Sequence, residues 1–157
     1  MIGSNVAGGL VGTFALTTIV RIASEVGLTR MDFALILGTM FTTNRRRARA
    51  VGYGVHVGIG LVFAIVYGAV FTLTGQSGWW LGALFGTLHA LFFGAVVLNV
   101  LLPVVHPLMG TPETAAHEHA LIEPPGFLML NYGTSTFLVM LVAHIAFGAI
   151  VGWAARV

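Results

Sequence analysis

The sequence predicts an all-α integral membrane protein, a single domain in which four apolar helices cross the bilayer as a bundle. Three observations carry this expectation. Charged residues make up only 8% of the chain and hydrophobic residues 57%, whereas ordinary soluble domains are roughly a quarter charged. The mean hydropathy is +0.96. The apolar residues also fall into four runs near the ~20 residues that a spanning helix needs. With their connections these runs use up the 157 positions, leaving no length for a second, soluble domain.

The first span is expected over about 5–27, with Arg21 and Glu25 one turn apart near its end and able to pair. The opening MIGSNVAGGL has no basic stretch, and no small-residue cleavage signal follows it, so it reads as a retained span rather than a signal peptide. Met31–Phe41 is apolar but too short to cross, which predicts an interfacial or re-entrant helix. The second span is expected over about 50–74 and stops at the turn signal Gly75-Gln76-Ser77-Gly78. Trp79 and Trp80 open the third span, about 79–103, at headgroup level. The fourth lies at about 133–155. Thr111-Pro112-Glu113 reads as a helix start and Pro124-Pro125 as a stop, predicting a short surface helix over about 112–122.

The net charge of +2 rests on seven Arg and no Lys. Arg30, Arg45, Arg46, Arg47 and Arg49 all lie between the first two spans, so the basic balance describes orientation in a bilayer and not nucleic-acid binding. The expectation is a cytoplasmic arginine-rich loop with both termini outside. The chain has no Cys, which excludes disulfides, thiolate metal sites and Cys nucleophiles.

Each span carries two glycines at GxxxG spacing: Gly8 and Gly12, Gly54 and Gly58, Gly82 and Gly86, Gly148 and Gly152. Such pairs let backbones approach closely, within one bundle or between a chain and a membrane partner or second copy. Gly8–Thr13 is similar to Gly82–Thr87, and His56 with Gly60 is similar to His144 with Gly148. This faint repeat would make the bundle a parallel duplication of a two-helix hairpin.

Three His fall within spans, where ionisable groups are costly and tend to face the bundle interior. From the helical rise, His89 sits roughly 15 Å from Trp79, His144 roughly 16 Å from Gly133 and His56 roughly 9 Å from Ala50. The expectation pairs His89 with His144 near mid-membrane and leaves His56 nearer the cytoplasm. Matched imidazoles on neighbouring helices can ligate a haem or a metal ion. Alternatively, each ring only hydrogen-bonds a carbonyl, Ser or Thr within the bundle.

A second polar concentration lies at the arginine-rich face. Glu25, Asp32, His56 and His106 could converge on a divalent metal ion, or the acids could simply pair with the nearby Arg. On the predicted surface helix, Glu113 and His117 would share one face, while His117 and His119 would point about 200° apart. HExxH fails because Leu121 stands where its second His is needed, and the ExxH of di-iron bundles is absent. No phosphate loop and no nucleophile elbow is present.

Gly86-Thr87-Leu88-His89, His106-Pro107, Pro125-Gly126-Phe127 leading to Asn131-Tyr132-Gly133, and His144 before Gly148 and Gly152 together give the chain its pattern. That pattern resembles a bacterial family of small four-span membrane proteins of unknown function, over most of the chain. The resemblance implies the four-helix fold and a bacterial inner membrane, and it implies no activity. On its residues the chain reads as a metal- or haem-binding bundle acting through His56, His89 and His144. The alternatives are a non-catalytic accessory subunit of a larger membrane complex and a minimal transporter or proton path. No motif supports enzymatic catalysis.

Overall fold

A computed structural model of the chain describes residues 2–110 and 121–155. Its helices are α1 Ile2–Glu25, α2 Phe33–Thr39, α3 Arg45–Thr74, α4 Trp79–Phe92, α5 Leu102–Val105 and α6 Thr136–Ala154. A π-helical stretch, Phe93–Leu101, joins α4 to α5 without a break, so the third crossing runs from Trp79 to Val105. Four helices are therefore long and apolar enough to span a membrane. Large apolar side chains point outward from them, among them Leu73 at 87% exposure and Val104 at 81%. A surface of this kind is stable against lipid and not against water.

Local chemistry sets the helix ends. Asn44 accepts hydrogen bonds from the Arg46 and Arg47 amides at 3.1 Å and starts α3 five residues before the expected Ala50. The arginine cluster is thus the first turn of a helix, not a loop. Gly75 ends α3 in the left-handed conformation, φ +64°, that its missing Cβ permits. The π-helical stretch answers Pro103. In a regular helix the proline ring would meet the carbonyl four residues back, and here the Leu102 amide reaches back five residues to Val97.

Trp79, Trp80 and Trp153 are all exposed, and the Gly78 amide bonded to Gly152 O at 3.1 Å sets them at one end of the bundle. They form the aromatic belt expected from the first two alone.

The four crossings form a ring in the order α1, α3, α4, α6, with two kinds of seam. Three seams are tight. A Cβ on Gly82 would stand 1.9 Å from Gly148 O, one on Gly86 would stand 2.1 Å from His144 O, and one on Gly60 would stand 1.9 Å from the Thr13 hydroxyl. Gly8 and Gly12 of α1 lie against Ala154, Val151 and Phe147 of α6. The fourth seam, between α3 and α4, is filled by aromatic rings. Phe71 stacks on Phe85 at 5.5 Å, and Tyr67 and Phe63 reach His89.

The GxxxG expectation needs correcting for α3. Nothing lies within 4 Å of a Cβ placed on Gly54 or Gly58, and the glycines of that helix that meet neighbours are Gly52, Gly60 and Gly68. The glycines of the faint repeat also take different partners. Gly8 and Gly12 face α6 of the other hairpin, whereas Gly82 and Gly86 face α6 within their own hairpin.

α2 lies antiparallel beside the start of α3. A Cβ on Gly52 would stand 1.8 Å from Ala34 O, and one on Gly38 would stand 1.7 Å from Ala48 O. Its Phe33 end is therefore the deeper one, so the segment dips into the bundle and climbs back out. The predicted 112–122 helix lies almost wholly outside the described residues. At its end Ile122 is extended, exchanging backbone hydrogen bonds with Leu108 and Gly110 at 2.8 and 2.9 Å.

Candidate functional site

His56 comes from α3, His89 from α4 and His144 from α6, and all three line one cavity of about 100 Å³ inside the bundle. The expectation that left His56 nearer the cytoplasm is corrected. His56 lies one turn before Gly60, which meets Thr13 of α1 beside the level where Gly12 meets Phe147 of α6, and this sets it level with His144. The remaining lining is apolar or thioether, with Phe33 and Ile36 from α2, Phe63 from α3 and Met31, Met129 and Met140. Thr13 is the other polar residue in the wall, and its hydroxyl donates to Gly9 O at 2.7 Å.

The tight α4–α6 seam brings His89 and His144 together, because Gly86 lets its helix rest on the backbone at His144. The two rings stand edge to face with centroids 4.8 Å apart. The Nδ1–H of His144 donates to Met140 O at 2.7 Å. A carbonyl can only accept, so in the neutral ring the lone pair sits on Nε2. His89 Nδ1 lies 3.1 Å from the Tyr67 hydroxyl and its ring packs on Phe63 at 4.1 Å. His56 packs on Phe33 with the rings tilted and centroids 4.5 Å apart, and its buried Nε2 has no hydrogen-bond partner.

This arrangement of the His89 and His144 rings gives no support to a haem held between them. A porphyrin must lie between two axial imidazoles, and rings 4.8 Å apart edge to face leave no slab for it. The cavity is also smaller than the ~150 Å³ that holds a benzene.

The rim residues do not converge, and the four-residue oxygen and nitrogen site is corrected. Glu25 pairs with Arg21 at 2.6 Å. Asp32 caps α2 through the Leu35 amide at 2.9 Å and pairs with Arg49 at 2.8 Å. His106 is buried and fully used. Its Nε2–H donates to Ile36 O at 2.9 Å, with Thr39 Oγ1 at 3.3 Å, and its Nδ1 accepts from the Leu108 amide at 3.1 Å. No lone pair remains for a metal. Pro107 helps to set this up, because a residue before proline is driven out of the helical region, and His106 is extended at φ −84°, ψ 118°. Among the described residues, no three of His, Asp and Glu are grouped to hold a metal ion. Glu113, His117 and His119 lie outside the described residues.

Beside the chamber, at the arginine-bearing end, a polar vestibule of about 440 Å³ is lined by Arg21, Ser24, Glu25, Asp32, Arg49 and Tyr53. Met31 and Phe33 belong to the walls of both spaces.

The sequence reading missed the Met side chains, Phe33 and Tyr67. Met129 is the least legible. It and Leu128 are non-glycine residues at positive φ, +60° and +50°, in the 3₁₀ turn Phe127–Tyr132 before α6, a conformation that side chains of this kind rarely adopt. That turn is anchored by Tyr132, whose hydroxyl donates to Glu123 O. Burial and the nearby Glu123 push the Tyr132 phenol up to about 12.

Comparison with known proteins finds no matching family model, no matching curated protein and no matching solved structure.

Proposed function

We propose that this integral membrane protein binds a metal ion inside its helical bundle, with His89 and His144 as ligands and His56 facing them across the chamber. The observation that carries the reading is the buried His56 Nε2 without a partner, in the same apolar cavity as two closely approaching imidazoles. Buried polar atoms are nearly always paired, and an exception marks a place where a water or an ion can bind. His144 also has the arrangement typical of a metal-binding imidazole, in which one ring nitrogen donates to a backbone carbonyl and leaves the other for the ion.

Equilibrium dialysis of the protein in nanodiscs against Cu(I), Ag(I), Zn(II) and Ni(II) tests this. One ion per chain is expected to be retained, and lost in His89→Leu and His144→Leu variants whose helix content and unfolding temperature match the wild type. Retention of no ion, or equal retention by the folded variants, would overturn the reading.

A second reading, a minimal metal transporter, is favoured by the wall that Met31 and Phe33 share between the vestibule and the chamber. With the arginine cluster on the cytoplasmic side, that vestibule faces the cytoplasm of a bacterial inner membrane. Uptake of ¹¹⁰Ag by proteoliposomes, faster in Phe33→Ala than in wild type, would support it. Equal uptake by empty liposomes would exclude it. The accessory-subunit reading retains one outward GxxxG face, Gly54 and Gly58, since the other three pairs are spent inside the bundle.

A further inference from the structure

We infer that the ion taken by this chamber is a soft monovalent cation, Cu(I), held by His89 and His144 together with thioether sulfur from Met129 and Met140; this rests on the metal-binding reading above. The donor inventory points there first. Three of the chain's six Met and three of its six His line one cavity, and among the described residues no carboxylate or charged side chain does. Thioether and imidazole donors without oxygen suit Cu(I), whereas Mg, Ca and Mn want carboxylate or carbonyl oxygen. Structural Zn(II) sites take four ligands from Cys, His and acids. The described residues offer no such group.

Charge gives the second argument. An ion moved into an apolar medium pays a solvation cost that rises with the square of its charge. With neutral ligands only, a divalent ion would keep its whole charge uncompensated, and a monovalent ion would keep the least an ion can have. Cu(I) takes from two to four soft ligands, which accommodates a close His pair with thioether sulfur beside it.

The backbone gives the third. Met129 is 1% exposed and sits at φ +60°, next to Leu128 at φ +50°. Left-handed non-glycine residues are costly, and two in succession persist only where the surroundings hold them. Gly94 of the π-helical stretch makes room, since a Cβ there would lie 3.2 Å from the Met129 methyl and 3.3 Å from Leu128. The strained turn thus delivers a thioether into the histidine chamber. Met140 arrives by ordinary means, one helical turn before His144, with its carbonyl orienting that ring.

The test uses the full chain in nanodiscs under anaerobic, reducing conditions, with a chromophoric Cu(I) chelator as competitor and Ag(I) and Zn(II) as comparison ions. Cu(I) and Ag(I) are expected to bind at one per chain and Zn(II) far more weakly. Met129→Leu and Met140→Leu keep the volume and are expected to lower Cu(I) affinity by about 10–100-fold, as loss of even an outer-shell partner does. Should either variant fail to fold, the X-ray absorption spectrum of the Cu(I)-loaded wild type decides alone, with a sulfur shell beside the nitrogen shell expected. A nitrogen-only shell, or Zn(II) held as tightly as Cu(I) but lost in His89→Leu, overturns the soft-ion inference and leaves the histidine reading standing. Retention of no ion at all overturns both.

Discussion

At the arginine-bearing end, His106 has both ring nitrogens engaged, one donating to Ile36 O and one accepting from Leu108. In the chamber His56 keeps a buried nitrogen without a partner, and His89 and His144 approach each other edge to face. Both regions bury imidazole, and both are reached from α2, which supplies Ile36 O to His106 and Phe33 to His56. The difference is one of completion. The rim's histidine closes its own hydrogen bonds and fastens α2 to the end of the third crossing. The chamber's histidines leave capacity over, which is a stability cost unless something binds there. Metal-binding capacity is therefore read from unspent lone pairs and not from how many ligand-type residues lie near one another.

The comparison can be broken most severely at the seam that holds the chamber's pair together. Gly86→Leu would drive a side chain into the His144 backbone. A loss of more than about 3 kcal/mol is expected, at or beyond the upper end for overpacking, seen as a lower unfolding temperature or no folded protein, with metal uptake abolished. The mirror experiment at the open face, Gly54→Leu, is expected to leave both unchanged.

Next in size is His106→Leu, which strands the Ile36 carbonyl and the Leu108 amide. A destabilisation of about 1–3 kcal/mol is expected, measured by thermal unfolding, with chamber metal affinity retained. His56→Phe should behave in the opposite way. It removes the orphaned nitrogen while keeping the ring contact with Phe33, so stability should hold or rise by about 1 kcal/mol, with metal affinity, set by His89 and His144, retained. If His56→Phe were as damaging as His106→Leu, the chamber would be a structural core like the rim.

The smallest effect belongs to the surface charges. Asp32→Asn keeps an acceptor for the Leu35 amide and removes only the pair with Arg49, whose side chains are 36% and 55% exposed. A change below about 1 kcal/mol is expected, and none in metal uptake.

The four crossings were legible because lipid imposes a simple rule of length and apolarity, and His89 and His144 were matched in depth by counting residues from Trp79 and Gly133. His56 was misplaced because its depth was counted from Ala50 as a helix start, whereas Asn44 starts the helix at Arg45 and the contacts of Gly60 with α1 set its level. The GxxxG pattern identified close packing but not its direction, since spacing alone does not say which way Gly54 and Gly58 face. The rim looked like a metal site because residue type is visible in a sequence, whereas the spending of His106 on two backbone groups is visible only once α2 is folded against it. Met129 could not be read, because nothing in Phe127–Tyr132 announces a left-handed turn at Leu and Met.

The central claim is that ligand capacity lies in the chamber and not at the rim. It is tested most directly by ¹⁵N NMR of imidazole nitrogens in histidine-labelled protein, titrated with one equivalent of Ag(I) as a redox-inert stand-in for Cu(I). The account predicts that the Nε2 resonances of His89 and His144 move together and saturate at one ion per chain, while both nitrogens of His106 stay where they were. A shift at His106, or no shift at the chamber pair, would contradict it.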